Sequence, residues 1–156
     1  MTLQVAEPWV EAPLKTFLDD ARVEIAVLMH PSGQVLGQSG FARSADVMAA
    51  CALAAAIHAS ASELGRQLEG RPFAGLHYTG QTKQLFLGVA PTARGTLLLL
   101  SVFDETSSFG LVQIFFEEFR TRIANAAPAN VPDGHALAVD FERDLNRNLA
   151  ALFGRA

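Results

Sequence analysis

The 156-residue chain is poor in the residues from which most active sites are built. Its single cysteine, Cys51, excludes an intramolecular disulfide and fits a reducing cytoplasm. The 12 Lys and Arg form no cluster and are outnumbered by 16 Asp and Glu, giving a net charge of −4. That balance argues against a nucleic-acid groove or an anionic membrane surface. His30, His58, His77 and His135 are scattered, with no cysteine or carboxylate partner at ligand spacing, so neither a metal nor another cofactor is expected. One Trp and one Tyr stand against 11 Phe, a bias that reads as core filling. The opening "MTLQVAEPWVEAP" has no basic stretch followed by an apolar run, so no signal peptide is expected.

A second shortage is local. In "ADVMAACALAAAIHASASELG", residues 45–65, no carboxylate, lysine or arginine lies between Asp46 and Glu63, and His58 is the one titratable group. A surface helix normally carries one apolar stripe and one charged face. This one lacks the charged face. Its side chains are mostly small, and Ser60, Ser62 and His58 dilute them, so a bilayer span is rejected. The stripe Val47, Ala50, Ala54, Ile57, Ala61, Leu64, Leu68 is read as the core side. That leaves Ala52, Ala56, Ala59, Ser60 and Glu63 turned outward, with Ala52, Ala56 and Ser60 four apart along one side.

The remaining elements follow from hydrophobic period and turn chemistry. Residues 9–20 predict a short helix with Trp9, Leu14, Phe17 and Leu18 inward. Val23, Ile25, Val27 and Met29 alternate as a strand, "HPSGQ" turns, and "QVLGQS" returns. Ser44 or Asp46 is expected to cap the long helix. "AGLHYTG", "KQLFLGVA" and "GTLLLLSVFD" then predict an antiparallel meander whose last strand is apolar on both faces and covered on both. "LVQIFFEEFRTRI" predicts a helix burying Val112, Phe115, Phe116, Phe119 and Ile123. The seven prolines, Pro13 and Pro91 among them, are read as breaks between elements. The expected fold is an α+β sandwich: a five-stranded antiparallel sheet with helices packed on it. One domain is expected to span 1–127, a Pro/Ala/Gly linker 128–139, and a C-terminal amphipathic helix 140–156 with Phe141, Leu145, Leu149 and Leu152 on one face.

No motif assembles an active site. "TGQTKQ" lacks phosphate-loop spacing and precedes a strand, so it reads as a hairpin turn. "DETSS", 104–108, reads as a capping turn before the last helix rather than an acid/base pair. Cys51 on an alanine-rich helix reads as a packing residue. The chain is therefore not expected to be an enzyme in its own right.

Taken together, "HPSGQVLGQSG", the alanine-rich helix, the three-strand meander and "LLLLSVFDETSSFGLVQIFFEEF" resemble the Roadblock/dynein light-chain family across residues 10–125. "VFDETSSFGLV" is the sharpest local match, and the C-terminal "ALAVDFERDLNRNLAALFG" resembles a tail found in the family's bacterial GTPase-activating branch. That branch commonly carries Ala-Gly-Asn in mid-helix, where this chain has "ALAAAIHAS".

The resemblance implies a cytoplasmic homodimer whose long helices pair and whose sheets join edge to edge. One dimer would bind one Ras-like GTPase of the MglA type, in its GTP form, in bacterial polarity or gliding motility. Activators of this branch reorder the GTPase's own loops instead of inserting an arginine finger, which elsewhere is worth about 10³ to 10⁵ in rate. By the same resemblance, Ala52, Ala56, Ala59, Ser60 and Glu63 would form the dimer and GTPase face. Phe141, Leu145, Leu149 and Leu152 would dock in a groove, and the tail could also modulate nucleotide exchange. Packing of that helix on its own domain is the alternative. Two other readings stay open: a non-activating Roadblock adaptor, and a small-ligand sensor whose pocket is lined by Phe86, Phe103, Phe115 and Phe116.

Overall fold

The computed structural model describes residues 3–129. In chain order the elements are β1 (Gln4–Val5), α1 (Pro8–Ala21), β2 (Ile25–Met29), β3 (Val35–Ser39), α2 (Ser44–Glu69), β4 (Gly75–Thr79), β5 (Gln84–Thr92), β6 (Gly95–Phe103) and α3 (Phe109–Ala126). The strands form one antiparallel sheet in the order β1-β3-β2-β6-β5-β4. α1 and α3 pack on one face, and α2 packs on the other. The expected α+β sandwich is present, with six strands where five were expected. The added strand is the two-residue β1, which pairs with β3 and is tied to it by Gln38 Nε2 donating to Gln4 Oε1 at 2.7 Å.

β6 sits in the middle and is buried on both sides, as its unbroken "LLLL" requires. Leu97 and Leu99 join Leu28, Phe86 and Phe103 beneath α1 and α3. Leu98 and Leu100 join Val27, Met29 and Leu87 beneath α2. Strand period two thus sends neighbouring leucines into two separate cores.

Three prolines fall inside elements instead of between them, and Pro8 opens α1, where its missing N–H would have had no helical partner anyway. Pro13 lies within α1, buried on its core side, and cannot donate to the Trp9 carbonyl one turn back. Pro91 lies near the end of β5, opposite Thr96. The cap of α2 also differs from expectation. Arg43 occupies the N-cap position without a side-chain cap, and Asp46 instead accepts from the Arg43 guanidinium at 3.0 Å in the first turn.

The core side of α2 is corrected as well. Val47, Cys51, Ala54, Ser62 and Gly65 are buried, whereas Leu64 and Leu68 are 51% and 68% exposed. The physical reason is distance. Small residues let the helix lie close to the sheet, and Gly65 passes under the following connector, where a Cβ would come 2.6 Å from the Phe73 nitrogen. Large leucines cannot occupy that side, so they turn outward. By length and composition α2 could cross a bilayer; here one side of it covers the sheet with Val47, Cys51 and Ala54.

Candidate functional site

α2 carries two lengthwise seams. The inner one, at Val47, Cys51, Ala54, Ser62 and Gly65, meets the sheet and the connector. The outer one runs Leu53, Ile57, Ser60, Leu64, at the four-three-four spacing that keeps side chains on one flank of a helix. Leu53 is 66% exposed and Ile57 is half-buried. Because Gly65 admits the connector beside α2, the chain re-enters the sheet as β4 directly along this flank.

The result is a shallow groove of about 380 Å³ lined by Ile57, Ser60, Leu64, Phe73, Leu76 and Tyr78, with Ala56 at its rim. β4 is the sheet's outer strand. It pairs with β5 on one side and with nothing on the other among the described residues. Leu76 and Tyr78 project from it toward α2, and Tyr78 is 53% exposed. An apolar helix flank next to an unpaired strand edge offers a partner both side-chain burial and backbone hydrogen bonds.

All five outward residues named from the sequence are exposed: Ala52, Ala56, Ala59, Ser60 and Glu63. Only two of them border the groove. Ala56 and Ser60 line the groove, whereas Ala52 and Ala59 lie further round the helix, away from β4. Glu63 is occupied by surface contacts to Arg66 at 3.4 Å and Gln67 at 3.3 Å. Reasoning from sequence missed Leu53, Leu64, Leu76 and Tyr78 as members of the open flank. The signal was present in the 53-57-60-64 spacing. Phe141, Leu145, Leu149 and Leu152 lie outside the described residues.

The other candidate sites are structural. Asp104 Oδ1 accepts from the Thr106 hydroxyl at 2.7 Å and its amide at 2.9 Å. Those two bonds, with smaller help from Glu24 and the Lys83 cation, hold the Asp104 carboxyl at a pKa of about 2. Ser107 donates to the Ala21 carbonyl, and Ser108 caps α3 by accepting from the Leu111 amide. "DETSS" is therefore a capping turn. "TGQTKQ" is the β4–β5 turn, with Lys83 paired to Glu24. Burial raises the Cys51 thiol pKa, which suits packing rather than nucleophilic attack. Of the four aromatics named for the sensor reading, Phe103 is fully buried in the core and Phe115 lines no cavity among the described residues, while Phe86 and Phe116 border a cleft of about 270 Å³ beside Phe109 and His77. Phe86 meets Phe116 edge-on at 5.0 Å, and a Cβ on Gly88 would stand 2.4 Å from the Phe116 ring. Among the described residues no three His, Cys, Asp or Glu converge as metal ligands.

A six-stranded antiparallel sheet with α2 alone on one face and α1 with α3 on the other is the Roadblock/LC7 fold. A Roadblock/LC7 domain from Streptomyces avermitilis superposes with a TM-score of 0.57 at 16% identity, over 65% of this chain and 82% of that one. The match to MglB is stronger. Myxococcus xanthus MglB gives a TM-score of 0.69 at 18% identity, over 77% of this chain and 95% of that one. An MglB with a tetrameric arrangement gives 0.66 at 21% identity, over 81% and 95% of the two chains. No family model and no curated protein matches the sequence.

Proposed function

We propose that the protein is a homodimeric regulator of a Ras-like GTPase of the MglA type, accelerating GTP hydrolysis by ordering the GTPase's own loops and supplying no catalytic group. The carrying observation is the uncharged α2 flank beside the unpaired edge of β4. A two-fold contact would set Leu53, Ile57, Ser60 and Leu64 of one copy against the same residues of the next, with the two β4 edges joining the sheets. The tetrameric MglB shows that the same fold assembles into oligomers elsewhere. In such a dimer the two α2 helices lie side by side, and Ala52 and Ala59 form a smooth outer surface with Glu63 at its end. The alanine part of that surface can meet the switch loops of a GTPase without desolvating a charge.

The C-terminal residues Phe141, Leu145, Leu149 and Leu152 supply a second contact. The helix that the sequence predicts there would be marginal alone and would gain stability by docking its apolar face. Removing residues 131–156 is expected to leave a folded dimer while weakening the GTPase complex or slowing its nucleotide exchange. Titration of labelled GTPase with both forms checks this. A cytoplasmic location follows from the partner.

Phosphate release by the purified GTPase, with and without this protein, tests the activating role. Acceleration supports it. Binding without acceleration selects the adaptor reading, and no binding removes both.

A further inference from the structure

A second cavity, of about 440 Å³, lies at the carboxyl end of α2 on the flank away from the apolar groove. Its charged lining is wholly basic. Arg66 comes from α2, Arg71 from the α2–β4 connector and Arg120 from α3, with His58 two turns before Arg66. No aspartate or glutamate lines it, in a chain where acids outnumber bases. Arg66 and Arg120 touch carboxylates outside the cavity, Glu63 at 3.4 Å and Glu117 at 3.1 Å. These are exposed pairs one turn apart on their own helices, weak enough to yield to a better acceptor. Arg71 makes no ion pair among the described residues.

Three further features mark the cavity as built. Gly65 fixes the connector against α2, because a Cβ there would stand 2.8 Å from the Arg71 carbonyl. The backbones carrying Arg66 and Arg71 are thus held together without a ligand. Ser62 is 6% exposed, with its hydroxyl 3.5 Å from His58 Nε2, placing a neutral hydrogen-bonding pair on the same wall. Finally, burial and then the Arg66 cation hold the His58 ring below its ordinary pKa, which registers both the enclosure and the positive field.

We propose that this cavity binds a phosphate-class oxyanion, gripped by the guanidinium forks of Arg66, Arg71 and Arg120 with Ser62 and His58 on the adjoining wall. Guanidinium is planar and presents paired donors that match phosphate oxygens. Phe73 supplies an apolar wall, so an organic phosphate with a compact apolar body fits as well as an inorganic one. The site shares Phe73 with the apolar groove but takes its charged groups, Arg66, Arg71 and Arg120, from outside it, so it does not rest on the GTPase reading.

The test is a titration of the full chain with inorganic pyrophosphate at low ionic strength, followed by two-dimensional NMR. Saturable shifts are expected at Phe73, Ala74 and Thr96. Arg71→Gln should weaken binding about tenfold, the cost of one charge-assisted contact, and Lys15→Gln should leave it unchanged. Absence of saturation would overturn the proposal. So would shifts spread over all basic residues, or equal affinity in the Arg71→Gln variant. The shift map of the unmodified chain decides the matter even if a variant fails to fold.

Discussion

The two faces of the sheet are built from different materials. Beneath α1 and α3, Phe17, Phe103 and Phe119 are at most 1% exposed, and Phe17 meets Phe119 at 5.7 Å between ring centres. Gly88 leaves room for the Phe116 ring and for nothing more. That side is filled by large rings, apart from a cleft of about 270 Å³ beside Phe86, Phe109 and Phe116. Beneath α2 the contacts come from Val47, Cys51 and Ala54, while Met48, Leu53, Leu64 and Leu68 are each more than half exposed. Large side chains seal a core within one chain. Small ones bring a helix close and leave its bulk facing outward, and the proposed dimer would cover that second face.

Substitutions can break that contrast, and the largest effect belongs to the ring-filled face. Phe119→Ala should cost about 3–5 kcal/mol in thermal or denaturant unfolding, through lost burial and the cavity left behind. Gly88→Ala should cost about 1–3 kcal/mol, because the new methyl would meet the Phe116 ring at 2.4 Å and force it to shift. A loss under about 0.5 kcal/mol for either would show that this face is loosely packed.

On the open face the effect should fall on assembly and not on folding. Ala56→Arg with Ser60→Arg should keep a cooperative melt, since arginine heads at these exposed positions reach water. The same variant should sediment as a monomer and fail to stimulate the GTPase. Ala52→Arg with Ala59→Arg should preserve the dimer and lose only GTPase binding, which separates the two outward sides of α2. A variant that stays folded, dimeric and fully active at both pairs would remove α2 as a docking element.

The smallest effect concerns acid. The Asp104 carboxyl is held at about 2 against an ordinary value of 3.8, chiefly by its bonds to Thr106, with smaller help from Glu24 and Lys83. Its contribution to stability is complete above the ordinary value and disappears as pH falls from about 4 to about 2. Thr106→Val removes the largest of these causes and should reduce, but not abolish, that part of the stability profile, read by unfolding at stepped pH.

How far the sequence could be read follows from the same contrast. The doubly apolar β6 announced that it would be covered on both sides, and α3 buries Val112, Phe116, Phe119 and Ile123 as expected, with Phe115 only half-buried at the edge. Those signals come from large residues, whose burial dominates the energetics. α2 misled because its largest residues, Leu64 and Leu68, were taken as core, when the smallest, Cys51, Ala54 and Gly65, mark close approach to the sheet and connector. β1 has only two residues and carries no period. Pro13 is accommodated inside α1 by tertiary packing that no local rule reveals. The partner-facing role of Ala52, Ala56, Ala59, Ser60 and Glu63 rests on exposure and resemblance, since small outward residues carry no chemistry of their own.

Sedimentation of the unmodified full-length chain across micromolar concentrations tests the central claim, that the α2 flank beside β4 is covered by a second copy. A dimer that dissociates on introducing Ala56→Arg and Ser60→Arg is the predicted result. A species that stays monomeric at every concentration would contradict it.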